Sequence, residues 1–342
     1  MTEALVIAGA PGSPYSRKLR AVLRYRRIPH RWVQHGSPDA RYLPQPRVSL
    51  LPQLVGATGP GGALEARIDS TPLIRALERE YAGRAVRPAD PVVALLDSLV
   101  EDYADEWLTK AMFHYRWVYA ADIAKAAAIL PRWRRTDSPE AELRAFGELV
   151  AKRQIDRLWV VGSNPTTGPL IEDSYVRLLH ALDAHLERSR FVMGARPGAA
   201  DFGLYGQLTQ LAGFDPTPAK LALTIAPRVV AWVDVVEDLS GIEPGDDAWL
   251  RRDAVPETFR PLLAEAGRTY APFLLANAAA LARGADKVEC RIDGRDWVSK
   301  PFPYQGKCLE WLREERAALG DADRRAADAL LAGTGLEALF AK

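Results

Sequence analysis

The chain has 342 residues, 48% hydrophobic and 26% charged, the profile of a globular protein too long for one core and expected to hold two or three domains. A formal net charge of +1 argues against a polyanion partner, and two cysteines, Cys290 and Cys308, rule out a disulfide framework and point to a reducing compartment. No apolar run approaches the ~18 residues that span a bilayer, and "MTEALVIAGAPG" has no basic segment before its short apolar run, so the expectation is cytoplasmic, with no membrane and no nucleic-acid partner.

"ALVIAG" (4–9) is a short apolar run, as expected of a buried strand. After "APGSP", Leu19, Val22 and Leu23 recur at helical spacing through about Arg27, and Pro29 follows the helix end. "HRWVQ" (30–34) reads as a second strand, and "LPQLVGA" and "ALEAR" as an antiparallel hairpin joined by "TGPGG". "DSTPLIRALEREYAG" opens with a capping residue, carries Pro72 in its first turn and ends near Gly83. The order β-α-β, then β-β-α, predicts a small mixed sheet with helices, the thioredoxin-like arrangement.

From Pro88 the pattern is helical for about 150 residues, with apolar positions three and four apart. "PVVALLDSLVEDYADEWL" predicts one long helix with a single buried stripe, and Gly241 is a plausible cap for the last helix of this part. "EPGDD" (243–247) signals a linker. Beyond it come helical stretches near 257–283, 304–319 and 321–340. Between them, Asp293-Gly294 amid alternating Val288, Cys290, Ile292 and Trp297 is a two-residue hairpin signal. The fold class is therefore α/β plus all-α: a thioredoxin-like domain (1–86), a helical-bundle domain (87–241) and a helix and β-hairpin extension (242–342). Phe302, Tyr304 and Trp297 need burial, so the extension should pack on the helical domain, near a pocket mouth or across a dimer contact.

Charge is unevenly divided. Residues 1–87 hold 14 Lys+Arg against 6 Asp+Glu, a surplus of 8 that leaves −7 for the remainder. Six of the cations lie between Arg17 and Arg27. A basic first domain fits a small anionic ligand, although a solvated helix face accounts for most of these side chains.

A thioredoxin-like domain, a helical domain behind it and "SPYSRK" opening the first helix together resemble the glutathione S-transferases over roughly residues 4–240. The resemblance implies glutathione as co-substrate, a small hydrophobic electrophile, and a homodimer. Ser13 would stand at the family's first-turn catalytic position. A helix amino end favours an anion, and a hydroxyl there can donate to a bound thiolate; a cysteine-like thiol starts near pKa 8.5, so a shift of about two units leaves it mostly ionised at neutral pH. Tyr15 and Ser16 are rivals within the same turn, and Ser13 alone also reads as an ordinary helix cap.

In the family the proline before the third strand is cis, and the residue ahead of it pairs its backbone with the cysteinyl part of glutathione; here these are Pro52 and Leu51. Asp69-Ser70 matches the acid-serine pair that takes the ammonium and carboxylate of the γ-glutamyl end, with Asp one methylene shorter than the usual Glu. Leu50 stands where many relatives carry a lysine for the glycine carboxylate, and Arg47 is the nearest substitute. "FVMGARPGAADFGLYGQL" resembles the family's structural signature, with Asp201 as its buried acid and Gly198 where Ser or Thr is usual. Tyr103 and Trp107 could share a face of the electrophile wall, although core packing accounts for most aromatics there. Cys308 reads as a packed thiol. Two alternatives remain open: a non-catalytic protein that keeps the fold for binding or assembly, and a glutathione-dependent reductase.

Overall fold

The computed structural model describes residues 4–57, 62–245 and 248–341. Residues 58–61, most of the expected hairpin loop, and Asp246 and Asp247 of the expected linker lie outside the described residues.

The amino-terminal part is a four-stranded mixed sheet. β1 (Leu5–Gly9) is buried along its whole length because it is central, parallel to β2 (His30–Gln34) and antiparallel to β3 (Gln53–Ala57); β4 (Leu64–Ile68) completes the order β2-β1-β3-β4. α1 (Pro14–Tyr25) starts where Ser13 Oγ accepts the Ser16 N–H at 3.3 Å, with Pro14 at the position that needs no N–H partner. It buries Leu19, Val22 and Leu23. The helix stops short of the expected Arg27, which takes a left-handed φ of 55°. α2 (Ser70–Glu80) likewise ends before Gly83. The Leu51–Pro52 bond is cis, as the resemblance implied.

The expected long helix over 91–108 is instead α3 (Pro91–Tyr103), a wider π-helical turn (Ala104–Leu108) and α4 (Thr109–Val118). α3 does not show one buried stripe: Val92 to Glu101 are all buried. The reason is the chain that follows. α8 (Ala199–Leu211) covers part of α3, and α11 (Arg260–Ala282), α12 (Pro303–Ala317) and α13 (Asp321–Leu331) of the extension cover the rest. α5 (Ala120–Arg134), α6 (Glu140–Ile155), α7 (Gly168–Leu186), α9 (Pro216–Ile225) and α10 (Pro227–Val236) complete the helical part. α10 ends well before Gly241, which does not adopt the left-handed conformation of a helix cap. Among the described residues no helix is long and apolar enough to cross a membrane.

At the start of α8, Asp201 accepts the backbone N–H groups of Gly198 (2.9 Å), Val192 (2.6 Å) and Met193 (3.2 Å). The hydroxyl missing at Gly198 is replaced from another helix. Asp97 of α3 accepts the Ala200 N–H at 2.9 Å, and a Cβ on residue 198 would lie 2.4 Å from the same carboxylate oxygen. α8 also packs closely on α1, where a Cβ at Gly206 would meet the Pro14 carbonyl at 2.6 Å.

In the extension, β5 (Val288–Ile292) and β6 (Arg295–Ser299) pair antiparallel around Asp293 (φ 50°) and Gly294 (φ 73°), both in the left-handed region that a two-residue hairpin turn requires. The hairpin buries Trp297 against Trp107 (5.3 Å between ring centroids) and Phe273 (5.6 Å).

Part of the basic surplus of the first part is paired with acids of the helical part, while Arg31, Arg41, Arg47 and Arg79 are exposed. Arg17, Arg20 and Arg24 converge on Glu237 just past α10, at 3.2, 2.5 and 2.7 Å, while Arg27 and Arg84 pair with Glu243.

Candidate functional site

A cavity of about 350 Å³ lies where the sheet part, the α3–α4 segment and α12 meet. Leu51, leading into the cis bond, and Asp69, Ser70 and Thr71 at the start of α2 form one wall. A second wall is polar: Asp105, Glu106 and Thr109 lie three, four and seven positions after Asp102 and so share a face. The extension supplies the third, with Phe302, Tyr304, Gln305, Cys308 and Trp311.

The wide turn at 104–108 places carboxylates where burial costs most. Burial pushes Asp102 up to about 7 and Glu106 up to about 8. It also raises Asp105, against the pull of Lys18. Lys18, on the second turn of α1, is fully buried, which alone would lower its pKa, but Asp105 (2.5 Å) and Glu101 (2.6 Å) outweigh burial and raise it. Its third partner is Thr71 Oγ1 at 3.0 Å. Two buried acceptors of this wall, Asp105 Oδ1 and Gln305 Oε1, have no hydrogen-bond partner among the described residues.

Of the residues singled out in the sequence, Tyr15, Leu51, Asp69 and Ser70 come together on this cavity, whereas Ser13, Ser16, Pro52 and Arg47 do not line it. Ser13 is half-buried and caps α1. Ser16 is fully buried, and its Oγ accepts the Ala10 N–H at 3.3 Å. Tyr15 donates its hydroxyl to the Asp105 carbonyl at 2.8 Å; burial, with Glu106 and Asp105 nearby, holds that hydroxyl well above its ordinary pKa. Arg47 is exposed. Asp69, with a left-handed φ of 77°, receives the Tyr304 hydroxyl on Oδ2 at 2.6 Å. Tyr103 and Trp107 face the core, 2% and 1% exposed, as the core-packing alternative expected.

Residues 8–85 match the sequence model of the glutathione S-transferase N-terminal domain, and residues 140–234 that of the glutathione S-transferase C-terminal domain, together just over half of the chain. The chain belongs to the glutathione S-transferase family. No curated protein sequence matches it. Among solved structures it is similar to a glutathione transferase from Burkholderia graminis with two glutathione molecules bound per subunit (16% identity, 76% of this chain and 88% of that one, TM-score 0.43). It is also similar to a glutathione S-transferase from Methylobacterium radiotolerans in complex with glutathione sulfonate (18%, 69% and 91%, TM-score 0.41) and to FzlA from C. crescentus (15%, 77% and 92%, TM-score 0.41). Membership rests on the two sequence matches, not on these superpositions.

Neither glutathione S-transferase model reaches past residue 234, yet α12, beyond it, closes the cavity. The sequence points Phe302 and Tyr304 to a pocket mouth or a dimer contact and gives no role to Gln305. It also casts the acidic run at 101–106 only as part of a helix. Local pattern points the other way there, since Asp102, Asp105, Glu106 and Thr109 lie on one helical face that an amphipathic surface helix would turn to water. For Gln305 no local signal exists, because its contact with Glu106 (2.9 Å) spans 199 positions of sequence.

Proposed function

We propose that the protein is a glutathione-binding transferase that ionises the glutathione thiol with a hydroxyl at the amino end of α1 and directs it at a small electrophile. The convergence of Leu51, Asp69 and Ser70 on one cavity wall, beside a cis Leu51–Pro52 bond, carries the reading. Leu51 would offer its backbone to the cysteinyl unit. Ser70, at the first position of α2, would take the γ-glutamyl carboxylate together with the helix N–H groups. Ser13 supports the donor role best of the three hydroxyls. Of the three only Tyr15 lines the cavity, but its proton already goes to the Asp105 carbonyl, and Ser16 is fully buried; Ser13, half-buried and outside the cavity lining, only accepts from the Ser16 N–H and so keeps its own proton to give. Phe302 and Trp311 provide apolar surface for the electrophile, and a homodimer is part of the same proposal.

One observation favours the second reading, a protein that keeps the fold without the chemistry. Tyr304 occupies the Asp69 oxygen that an ammonium would claim. The test is calorimetric titration with glutathione and the ultraviolet thiolate band of the bound tripeptide followed against pH. Wild type should bind, with a thiol pKa about two units below 8.5, and Ser13→Ala should return it toward that value. Ser70→Ala should weaken binding, and Tyr304→Phe should tighten it roughly fivefold, one hydrogen bond's worth. If neither wild type nor Tyr304→Phe binds glutathione or turns over a chloronitrobenzene, the binding and assembly reading replaces this one.

A further inference from the structure

Two lysines are buried at this cavity, and the chain treats them differently. Lys18 is held by two carboxylates and a hydroxyl. Lys110, at the start of α4 and 3% exposed, lines the cavity, yet among the described residues its Nζ has neither a hydrogen bond nor an ion pair. It rests instead over the ring of Phe273, 4.0 Å from the centroid, with Trp297 at 5.8 Å. Burying an ammonium without a direct ion pair is costly, and an aromatic face together with the field of Glu106, one turn earlier, returns only part of that cost. A purely structural lysine would be tied down as Lys18 is.

We propose that Lys110 Nζ is a nucleophilic amine that condenses with an aldehyde or ketone entering the cavity to form an imine. The neutral amine attacks the carbonyl carbon, the C–N bond forms, and the carbonyl electron pair moves to oxygen, which takes up a proton. The attacking nitrogen gives up one proton to form the neutral carbinolamine, and a second protonation of the oxygen then releases water and leaves the protonated imine. With two protons taken up by oxygen and one returned by nitrogen, one amine, one carbonyl and one proton give one iminium and one water. Glu106 stands one turn earlier, its Oε2 fixed by Gln305 Nε2, and burial keeps a proton on its carboxyl near neutral pH, so it is placed to supply and recover protons. Burial also lowers Lys110 to about 8, which raises its neutral fraction.

The charged and titratable groups around the amine are spread over the packed elements. Glu106 is the charged group that acts on the amine, while Asp69 and Arg75 on the α2 side, Glu101, Asp102 and Asp105 earlier in the chain, and Tyr304 and Cys308 on α12 line the same cavity. α11 and β6 present the rings of Phe273 and Trp297. The proposal goes beyond the transferase reading and does not need glutathione in the cavity.

The experiment treats the full chain, without glutathione, with benzaldehyde or butanal and cyanoborohydride, and maps the reduced adducts by peptide mass spectrometry. The expected result is one adduct per chain, on Lys110, formed at pH 7 at least tenfold faster than on exposed Lys152. Its rate should rise with pH up to about 8 and fall above it, where Glu106 loses the proton it supplies. Lys110→Met and Lys110→Arg should both lose this fast phase. Adducts confined to surface lysines, or a Lys110 rate that matches Lys152 at every pH, would overturn the proposal. Because wild-type selectivity alone decides between these outcomes, a variant that fails to fold does not obscure the answer, and glutathione binding stays a separate measurement.

Discussion

Gly198 and Asp97 show how a departure from a family pattern is repaired by one side chain. The family places a hydroxyl at the start of α8, and here a carboxylate 101 positions earlier takes over the Ala200 N–H. The substitution is mutually exclusive, since a side chain at 198 would press on the Asp97 carboxylate. Gly198→Ser alone should therefore destabilise the protein, and Asp97→Ala alone should cost about 1–3 kcal/mol by stranding a buried N–H. The double variant should recover at least ~1 kcal/mol of the summed loss, because the serine hydroxyl then caps the helix in a vacated space. Denaturant unfolding of the four proteins gives the coupling. Simple additivity would show that the two sites do not exchange this role.

At the scale of elements, the extension acts as the outer cover of α3 and not as an appendage. α3 is buried on every face only because α11, α12 and α13 pack on it, with Arg87–Glu315 (2.7 Å) and Arg252–Asp90 pairs fastening the two parts. Fully burying a single Leu or Val is worth ~1.5–3 kcal/mol, and α3 contributes Leu95, Leu96, Leu99, Val92, Val93 and Val100 to the core. A chain cut after residue 241 should accordingly lose cooperative unfolding and bind a hydrophobic dye, and limited proteolysis of the intact protein should yield no stable 1–241 fragment. A soluble, cooperatively melting fragment would show that the extension merely sits on a finished surface.

For the whole molecule, the buried carboxylates set the pH dependence of stability. Asp102, Asp201 and Glu265 are raised to about 7 and Glu106 to about 8, in each case chiefly by burial. Unfolded carboxyls titrate near 4, so between about pH 4 and 8 the native state holds more protons than the unfolded one. Stability from these groups is then complete at the acid end of that window and is lost as pH rises. Glu101 and Glu237, lowered against their burial by Lys18 and by Tyr205 and Arg20 respectively, work in the opposite sense, as does Lys110 above its own lowered value. The melting temperature should fall from pH 5.5 to pH 8, on the order of 2–4 °C for each kcal/mol lost. Glu106→Gln should flatten that slope, raising stability at pH 8 and changing little at pH 5.5. A melting temperature that climbs over this interval would contradict the burial argument.

Local pattern by itself determined every strand, the turn at Asp293-Gly294 and the capped start of α1, because period, turn chemistry and capping act within a few residues. The resemblance to the family, rather than local pattern, singled out Leu51, Asp69 and Ser70, which line the cavity. Only tertiary structure decided which face of the 101–110 segment meets a cavity, that the arginines of α1 answer Glu237, and that Tyr304 reaches Asp69 across 235 positions. The physical reason is the same in each case: a charged face means solvent to any local rule, and only the packing of distant elements turns it inward and gives a buried charge its partner, or leaves Lys110 without a direct ion pair.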